Sequence, residues 1–224
     1  MYDFSSQAKM LGYAIDALKE VKAYEQASFG GGTALSAYYW QHRYSTDIDI
    51  FLETSGKLPK LRTVLKKMHI SDDIRFPGNY LEVLISETEK IQFFETRPKM
   101  SQGRILTSLW GFHDLHIEGI EEILVKKIYY RAHKGNTRDI FELAVGLSQD
   151  PLLFQKYLSK NALTLENLKI LTQTLEQIVG NPHLMKIYQD EMALMKPAVA
   201  YFDLARNAPG TLIKALENLF IAQC

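Results

Sequence analysis

Residues 29–35 read FGGGTAL, and residues 45–51 read STDIDIF. The first stretch predicts a short strand that ends in a glycine turn, followed by a helix over residues 34–42 with Thr33 as its N-cap. Glycines before a helix let backbone N–H groups approach a phosphate, because no side chain stands in the way. The Thr33 hydroxyl and the partial positive charge of the helix N-terminus would favour the same anion.

The second stretch predicts a strand over residues 47–52. Asp47 and Asp49 lie on one face of it, because alternate side chains of a strand point to the same side. Two neighbouring carboxylates repel each other unless a cation holds them, and Mg²⁺ commonly takes one or two carboxylates together with phosphate oxygens. Each stretch alone is common in turns and surface strands, but the combination indicates a site for a nucleoside triphosphate carried on magnesium.

The rest of the chain changes character near residue 117 or 150. Before that point, helices over residues 6–25 and 59–68 alternate with strands, and strands over 80–86 and 90–95 form a hairpin. From Glu118 onward the pattern is helical, and the helices predicted after the first one cover 138–147, a segment from Asp150-Pro151, 164–179, 182–195, 197–207 and 211–222.

These patterns predict an α+β fold. A small mixed sheet with flanking helices would occupy residues 1–117, and a C-terminal helical bundle would occupy residues 118–224. Thr137 and Thr164 are the predicted N-caps of two helices in the bundle.

The composition narrows the function classes. The 224 residues contain 26 Lys+Arg and 26 Asp+Glu, so any binding to nucleic acid must come from a local patch. No apolar run reaches the roughly 18 residues of a membrane span, the N-terminus lacks a signal-peptide pattern, and the one cysteine excludes a disulfide framework. We therefore expect a soluble cytoplasmic protein with no membrane partner.

Motifs along the chain resemble those of the AbiEii/AbiGii nucleotidyltransferase toxins, a branch of the DNA polymerase β-like nucleotidyltransferase superfamily. Residues 31–35 read GGTAL and residues 42–51 read HRYSTDIDIF, which match the family's two N-terminal motifs. A later block, with Lys127, Lys134 and RDIFEL at residues 138–143, resembles its lysine and Arg-Asp motifs. The likeness covers most of the chain.

The resemblance implies roles for the matched residues at the N-terminal motifs. Gly31, Gly32 and Thr33 would bind the triphosphate of an NTP. Asp47 and Asp49 would hold Mg²⁺.

It also implies roles for residues further from the aspartates. Lys127 would contact the nucleotide phosphates, and Asp139 would either orient Lys127 or act as a base toward the acceptor hydroxyl. Lys127 and Arg131 are i,i+4 neighbours, so both can face one site. Otherwise Lys127 is a solvated helix lysine and Asp139 a carboxylate stabilised at a helix start. Arg43 and Ser45 either order the turn before the strand or touch phosphate.

One position departs from the pattern of polymerase-like transferases, which generally present a third carboxylate from a neighbouring strand. Here the corresponding position falls on Gln92, and Glu82 and Glu95 are the acids that could replace it. A single-metal enzyme is therefore the better hypothesis than a full two-metal mechanism.

The activity implied by the resemblance is magnesium-dependent transfer of a nucleotide to an acceptor, with RNA such as tRNA expected. The protein would be the toxin of a toxin–antitoxin or abortive-infection phage-defence system, with a cognate antitoxin as partner. Two alternatives stay open: a non-catalytic nucleotide-binding or interaction module, and a transferase that acts on a protein or a small molecule.

Three further features have a functional and a structural interpretation. Basic clusters over residues 57–67 and 126–138 would suit an RNA backbone if they border the site, and are solvated faces otherwise. The aromatic run over residues 38–40 could stack a base, but packing against the sheet is favoured. His113 and His116 are more consistent with hydrogen-bonded loop histidines than with metal ligands.

Overall fold

The computed structural model describes residues 2–222, a range that leaves out the C-terminal cysteine. The described chain forms two compact units. The first unit contains the chain up to Gln41 and then Ser45–Gly119, and the second contains His42–Tyr44 and the chain from Ile120 onward. In the part that the structure describes, no helix is long and apolar enough to cross a membrane.

Within residues 2–222, the first unit holds a mixed sheet of seven strands. The strands are β1 (Ala27–Gly30), β2 (Ile48–Leu52), β3 (Ile74–Arg75), β4 (Tyr80–Leu84), β5 (Lys90–Glu95), β6 (Arg104–Leu109) and β7 (Phe112–Glu118). Their order across the sheet is β3-β4-β5-β2-β1-β7-β6. The central strand β2 runs antiparallel to β1 and parallel to β5, and the predicted β4–β5 hairpin is confirmed.

The two faces of β2 differ as its alternating sequence predicts. Ile48, Ile50 and Leu52 are at most 2% exposed, whereas Asp49 and Phe51 are partly exposed. Helix α1 (Ser5–Glu20) contacts β2 and β5, and helix α3 (Leu58–Lys67) contacts α1 and β4, so the two helices cover the apolar face. The opposite face of the sheet therefore carries Asp49.

The helix that follows the glycine turn starts earlier than predicted. α2 covers Gly31–Ala34 and continues into a π-helical segment, Leu35–Trp40. Thr33 thus lies inside the helix and is not its N-cap. Gln41 ends the segment in a left-handed conformation, with a φ of 50°.

The hairpin of β6 and β7 was not predicted from the sequence. Its two-residue turn is Trp110-Gly111, and both residues have positive φ, 53° and 84°. Tryptophan is an unusual residue at such a position, and here its ring packs 6.0 Å from that of Phe29. His113 and His116 therefore lie on a strand and not in a loop, and the predicted hydrogen bond is present for His113, whose Nδ1 lies 3.1 Å from Ser108 Oγ.

The second unit is helical. It contains α4 (Ile120–Arg131), α5 (Thr137–Gln149), α6 (Leu153–Ser159), α7 (Leu165–Gly180), α8 (Pro182–Leu194) and α9 (Phe202–Ile221). The Thr164 cap is confirmed, but Thr137 is the first residue of α5 and the cap position is Asn136. The two helices predicted after residue 196 are one continuous helix, α9, which accommodates Pro209.

Helix α5 is the most deeply buried helix segment of this unit. From Asp139 to Leu147 every residue is buried, and α5 contacts both α4 and α9. Polar side chains on α5 are therefore taken out of water and need partners inside the protein.

Candidate active site

The glycine turn at the end of β1 presses the backbone against an aspartate. Gly30 pairs with Asp49 across the β1–β2 ladder, and Gly31 has a φ of +68°. A Cβ atom on Gly31 would lie 2.0 Å from Asp49 Oδ2, which is impossible without movement of one of the two. Only glycine fits this close approach, because it alone has neither a Cβ nor a penalty at positive φ.

The hydroxyl of Thr33 connects the turn to the aspartate strand. Thr33 is 1% exposed, its Oγ1 lies 2.8 Å from Ser45 Oγ, and it donates a short hydrogen bond to the main-chain oxygen of Asp47. The buried pair of hydroxyls thus fixes the backbone just before β2. In this arrangement both Thr33 and Ser45 hold the site in shape.

Asp47 and Asp49 are both partly exposed. The register of the Asp49 strand with the neighbouring strand decides which residue stands at the third carboxylate position. Asp49 pairs with Gln92 on β5, so the prediction that the third position falls on Gln92 is confirmed. The Gln92 amide donates to Glu82 Oε2 at 2.8 Å, and Lys90 Nζ lies 3.1 Å from the same oxygen. Glu82 is therefore already neutralised within the sheet.

Glu95, the other acid considered as a replacement, has a different use. Its Oε1 accepts hydrogen bonds from the backbone N–H groups of Lys57, at 2.6 Å, and Leu58, at 3.1 Å. It therefore satisfies the N-terminus of α3. Among residues 2–222 there is no group of three or more His, Cys, Asp and Glu side chains placed to hold a metal ion.

In the helical unit, Lys127 is buried between two carboxylates. Its Nζ lies 2.6 Å from Asp139 Oδ1 and 2.6 Å from Glu142 Oε2, and its side chain is only 3% exposed. Lys127 is thus not a solvated helix lysine. Arg131 Nη2 reaches the same Asp139 oxygen at 3.0 Å, which confirms that Lys127 and Arg131 face one point.

Asp139 is surrounded by donors. Besides Lys127 and Arg131, the Asn136 side chain donates to its Oδ2 at 3.3 Å. Burial by itself would raise the pKa of Asp139, but the charges of Lys127 and Arg131 outweigh that effect and hold the pKa below its usual range.

Glu142 is the site residue that the sequence analysis missed. It is completely buried, and its Oε1 accepts hydrogen bonds from Arg43 Nε at 3.0 Å and Nη2 at 2.5 Å. Burial would raise the pKa of Glu142, yet Lys127 and Arg43 hold it well below its usual range. Its position three residues after Asp139, one helical turn on, was a signal that could have revealed it.

Arg43 and His42 belong to the same buried cluster. Arg43 also donates to the main-chain oxygen of Tyr44 at 2.8 Å, so the structure shows it ordering this segment. The His42 ring is fully buried, with Nε2 3.7 Å from Glu142 Oε1, and burial lowers its pKa. Backbone bonds hold the segment as well, because Ala198 N donates to His42 O at 2.8 Å.

The other sequence features have structural uses. Lys126 is buried and lies 3.1 Å from Glu122 Oε1, so the basic cluster over residues 126–138 is not a continuous solvated surface. The hydroxyl of Tyr38 lies 3.0 Å from that of Thr107, and Tyr39 donates to Glu118 O at 2.9 Å. The aromatic run thus packs against β6 and β7, as favoured.

Three solved structures are similar to the chain. JHP933 from Helicobacter pylori has 16% identity and a TM-score of 0.54, with coverage of 96% of this chain and 93% of that one. A candidate nucleotidyltransferase from H. pylori has 15% identity and a TM-score of 0.52 over 97% and 95%. ANT(2")-Ia, solved with adenylyl-2"-tobramycin, has 13% identity and a TM-score of 0.44 over 84% and 99%.

The two H. pylori structures show the same fold, and no protein of curated function has significant sequence similarity to the chain. A family model described as "Nucleotidyl transferase AbiEii toxin, Type IV TA system" matches residues 14–181. With its glycine turn and aspartate pair, the chain belongs to this AbiEii family of nucleotidyltransferase toxins.

Proposed function

We propose that the protein transfers a nucleotidyl group from an NTP to a hydroxyl group of an RNA acceptor such as tRNA, with Mg²⁺ as cofactor. The observation that carries the proposal is the contact of the glycine turn with the aspartate strand, where Gly31 lies directly against the Asp49 carboxylate. Backbone N–H groups for phosphate and oxygen ligands for a cation are thereby offered side by side.

The donor set of Asp47 and Asp49 fits a hard cation that completes its coordination with phosphate oxygens and water. Both carboxylates are partly exposed, Asp47 directly before β2 and Asp49 within it, and Gln92 in place of a third acid leaves the remaining coordination positions to the substrate and water. When bound, Mg²⁺ would neutralise charge on the triphosphate. This donor set favours one metal ion over two.

The chain's own residues would bind and position the substrate. The backbone N–H groups of Gly31 and Gly32, at the start of α2, would bind the phosphates. Thr33 and Ser45 would keep the turn and β2 in register. Transfer forms a bond from the acceptor oxygen to the α-phosphorus and breaks the bond to pyrophosphate, which leaves with the bonding electron pair, while the proton of the acceptor hydroxyl passes to water.

The family resemblance implies that Lys127 contacts nucleotide phosphates, and it leaves two roles open for Asp139. A carboxylate with three donors and a lowered pKa is a poor general base, because it holds a proton weakly. Of the two roles open for Asp139, the geometry therefore favours orientation of Lys127.

The family description supports a role as the toxin of a type IV toxin–antitoxin system, with an antitoxin as functional partner. We extend this to defence against phage, in which modification of RNA would stop growth of an infected cell. Expression with and without the neighbouring gene, followed by phage challenge, would test this setting.

The direct test uses α-labelled forms of all four NTPs with total RNA, protein and small-molecule fractions. Wild type should label RNA in the presence of Mg²⁺, and Asp49→Asn should reduce the rate by at least about 100-fold, because the metal ion would lose a ligand. Asp72→Asn, an exposed carboxylate change in the same unit, is the matched control and should keep full activity. Equal labelling by wild type and Asp49→Asn would refute the proposal.

A non-catalytic nucleotide-binding module is the second candidate, and the replacement of a third acid by Gln92 is the observation that favours it. NTP binding measured by calorimetry, together with no transfer to any fraction, would establish it. Label on protein or on a small molecule alone would instead identify a different acceptor class.

A further inference from the structure

Helix α3 concentrates positive charge on a chain that has no net charge. From residue 54 to residue 71 the sequence contains no aspartate or glutamate, although the whole chain has 26 basic and 26 acidic residues. Lysine and arginine side chains in this stretch form a surface that we call the basic face: Lys57, Lys60, Arg62, Lys66 and Lys67. Lys60, Lys66 and Lys67 are exposed, and the other two members are partly exposed.

Carboxylates of the protein do not neutralise the basic face. Within residues 2–222, no side chain of the basic face lies in an ion pair, whereas a lysine such as Lys160, elsewhere on the surface, has its Nζ 2.6 Å from Glu121 Oε2. Glu95 contacts the start of α3, but its Oε1 accepts from the backbone N–H groups of Lys57 and Leu58. Like charges so close together repel each other, so the basic face is suited to an anion that binds from outside.

The composition of α3 distinguishes between classes of anionic partner. Its apolar side chains Leu58, Leu61 and Leu65 are at most 1% exposed, and α3 presents no exposed large apolar residue. Protein interfaces depend on aromatic and apolar anchors and are poor in lysine, and a helix that enters a membrane surface needs a free apolar face. Lysine binds phosphate as a point charge. The basic face therefore fits the phosphodiester backbone of a nucleic acid better than a protein or a membrane.

The spacing of the charges favours a polymer over a single phosphate group. Lys57 and Lys67 are ten residues apart, which is about 15 Å along the axis of a helix. Lys60 and Lys67, seven residues apart, project from the same side of α3, because seven residues make nearly two turns. One phosphate group can contact only neighbouring members of the basic face, whereas a chain of phosphates can contact them all.

The direction of α3 follows from the contacts at its two ends. Its start is held by Glu95, the last residue of β5. After its end, the Ser71 hydroxyl donates to the main-chain oxygen of Leu84, which pairs with Lys90, the first residue of β5. Helix α3 therefore runs antiparallel to β5, and β5 is parallel to β2.

This direction relates the basic face to the aspartates. Lys66 and Lys67, in the last turn of α3, lie toward the end of the sheet at which β2 begins, and Asp47 directly precedes β2. Helix α3 covers the face of the sheet opposite to Asp49, so a nucleic acid bound there must pass around this end to reach the aspartates. Such a path requires a polymer that extends well beyond the nucleotide that reacts.

We propose that the basic face is a docking surface for the sugar–phosphate backbone of a folded RNA, separate from the site of transfer. The choice of RNA over DNA rests on the proposed function. Docking would be independent of base sequence, because contacts to phosphate carry no sequence information. It would set the affinity for the RNA and not the rate of the chemical step, because the basic face lies on the other side of the sheet from Asp49.

The test measures binding of a fluorescein-labelled stem-loop RNA of about 30 nucleotides by fluorescence anisotropy, without NTP and over a series of KCl concentrations. The triple variant Lys60→Gln/Lys66→Gln/Lys67→Gln should raise the Kd at least about tenfold near about 0.1 M salt. The slope of log Kd against log salt concentration should fall by about 2–3, because each lost phosphate contact removes about 0.7–0.9.

Two further variants separate local charge from net charge and from misfolding. Lys22→Gln/Lys169→Gln/Lys214→Gln removes the same charge from exposed lysines outside α3 and should leave the Kd and the slope unchanged. Lys60→Arg/Lys66→Arg/Lys67→Arg keeps the charges and should bind the stem-loop like wild type. Loss of binding in the arginine variant as well would overturn the proposal, since charge would then not be the cause.

Unchanged Kd and slope in the glutamine variant of α3 would overturn the proposal, and so would an equal loss in the control outside α3. Tighter binding of a DNA stem-loop of the same sequence would assign the basic face to DNA and overturn the choice of RNA. In the transfer assay, the glutamine variant should raise the KM for RNA and keep kcat. A wild-type KM in that variant would refute the docking surface alone, whereas absence of RNA labelling by wild type would refute the proposed function and leave the binding measurement to decide on the basic face.

Discussion

Replacing Glu142 by glutamine should destabilise the helical unit strongly. Glu142 carries the negative charge that lies between Arg43 and Lys127, while Asp139 is held by Lys127 and Arg131. Glu142→Gln keeps the shape of the side chain but takes the carboxylate away from Arg43 and Lys127 at a position that is completely buried. Removal of one partner from a buried ion pair costs about 3–5 kcal/mol, and we expect a loss of that size in the free energy of unfolding.

Urea unfolding near neutral pH measures the effect, with circular dichroism as the signal. The control is Asp190→Asn, which breaks a helix-surface pair, Lys186–Asp190, whose side chains are 71% and 66% exposed. That change should cost no more than about 0.5 kcal/mol. If Glu142 balances Arg43, the double variant Arg43→Gln/Glu142→Gln should lose less stability than the sum of the two single losses.

The pH dependence gives a second check on the same residue. Since the pKa of Glu142 in the folded chain lies well below 4.5, its stabilising charge is present above that pH and is lost as the pH falls through the lower value. Wild type and Glu142→Gln should therefore differ most near neutral pH and converge in acid. A neutral-pH loss below about 1 kcal/mol, equal to that of the surface control, would refute the reasoning.

Three other perturbations have definite expected outcomes. Burial lowers the pKa of His42, so below about pH 6.5 the unfolded chain binds a proton that the folded chain does not. In urea unfolding, the free energy of unfolding of wild type should therefore fall by about 1.4 kcal/mol per pH unit relative to His42→Asn. Parallel pH curves for the two proteins would contradict this. Gly31→Ala should abolish transfer and destabilise the protein more than Gly111→Ala, because both glycines have positive φ but only Gly31 lies against Asp49. Thermal unfolding compares the two variants. Equal losses of stability would contradict the contact between Gly31 and Asp49. Gln92→Glu should destabilise the metal-free chain, because the new carboxylate would repel that of Asp49, with which residue 92 pairs. The variant should bind Mn²⁺ about tenfold more tightly, which adds about 1.4 kcal/mol to the free energy of unfolding at saturation. Calorimetry that finds wild-type affinity for Mn²⁺ would reject the register argument.

The elements with strong periodicity were predictable from the sequence. Ile48, Ile50 and Leu52 alternate with polar or larger residues, and their burial follows from that alternation. The register of Asp49 with Gln92 was also predictable, because the apolar face of each strand allows only one of two neighbouring alignments.

Other elements depend on contacts that the sequence does not display. The turn of the unpredicted β6–β7 hairpin uses Trp110 at positive φ, and tertiary packing on Phe29 compensates for that conformation. The gap predicted between residues 207 and 211 lies inside α9, where Pro209 is buried within the continuous helix.

The residues of the candidate site likewise include some that the sequence predicts and one that only the structure reveals. Motif resemblance selected Lys127 and Asp139, whose side chains do meet. It did not select Glu142, since a glutamate on a helix is most often a surface residue, and only its complete burial beside Arg43 reveals its use.

The segment His42–Tyr44 belongs to the helical unit but is synthesised long before the rest of that unit, which begins at Ile120. Arg43 precedes its partner Glu142 by 99 residues, so during translation its guanidinium is exposed long before the carboxylate has been made. The strands of the first unit can therefore form before the residues that contact His42–Tyr44 in the helical unit have been synthesised. A fragment beginning at Ile120 would therefore contain Glu142 without Arg43, whose guanidinium donates two hydrogen bonds to it.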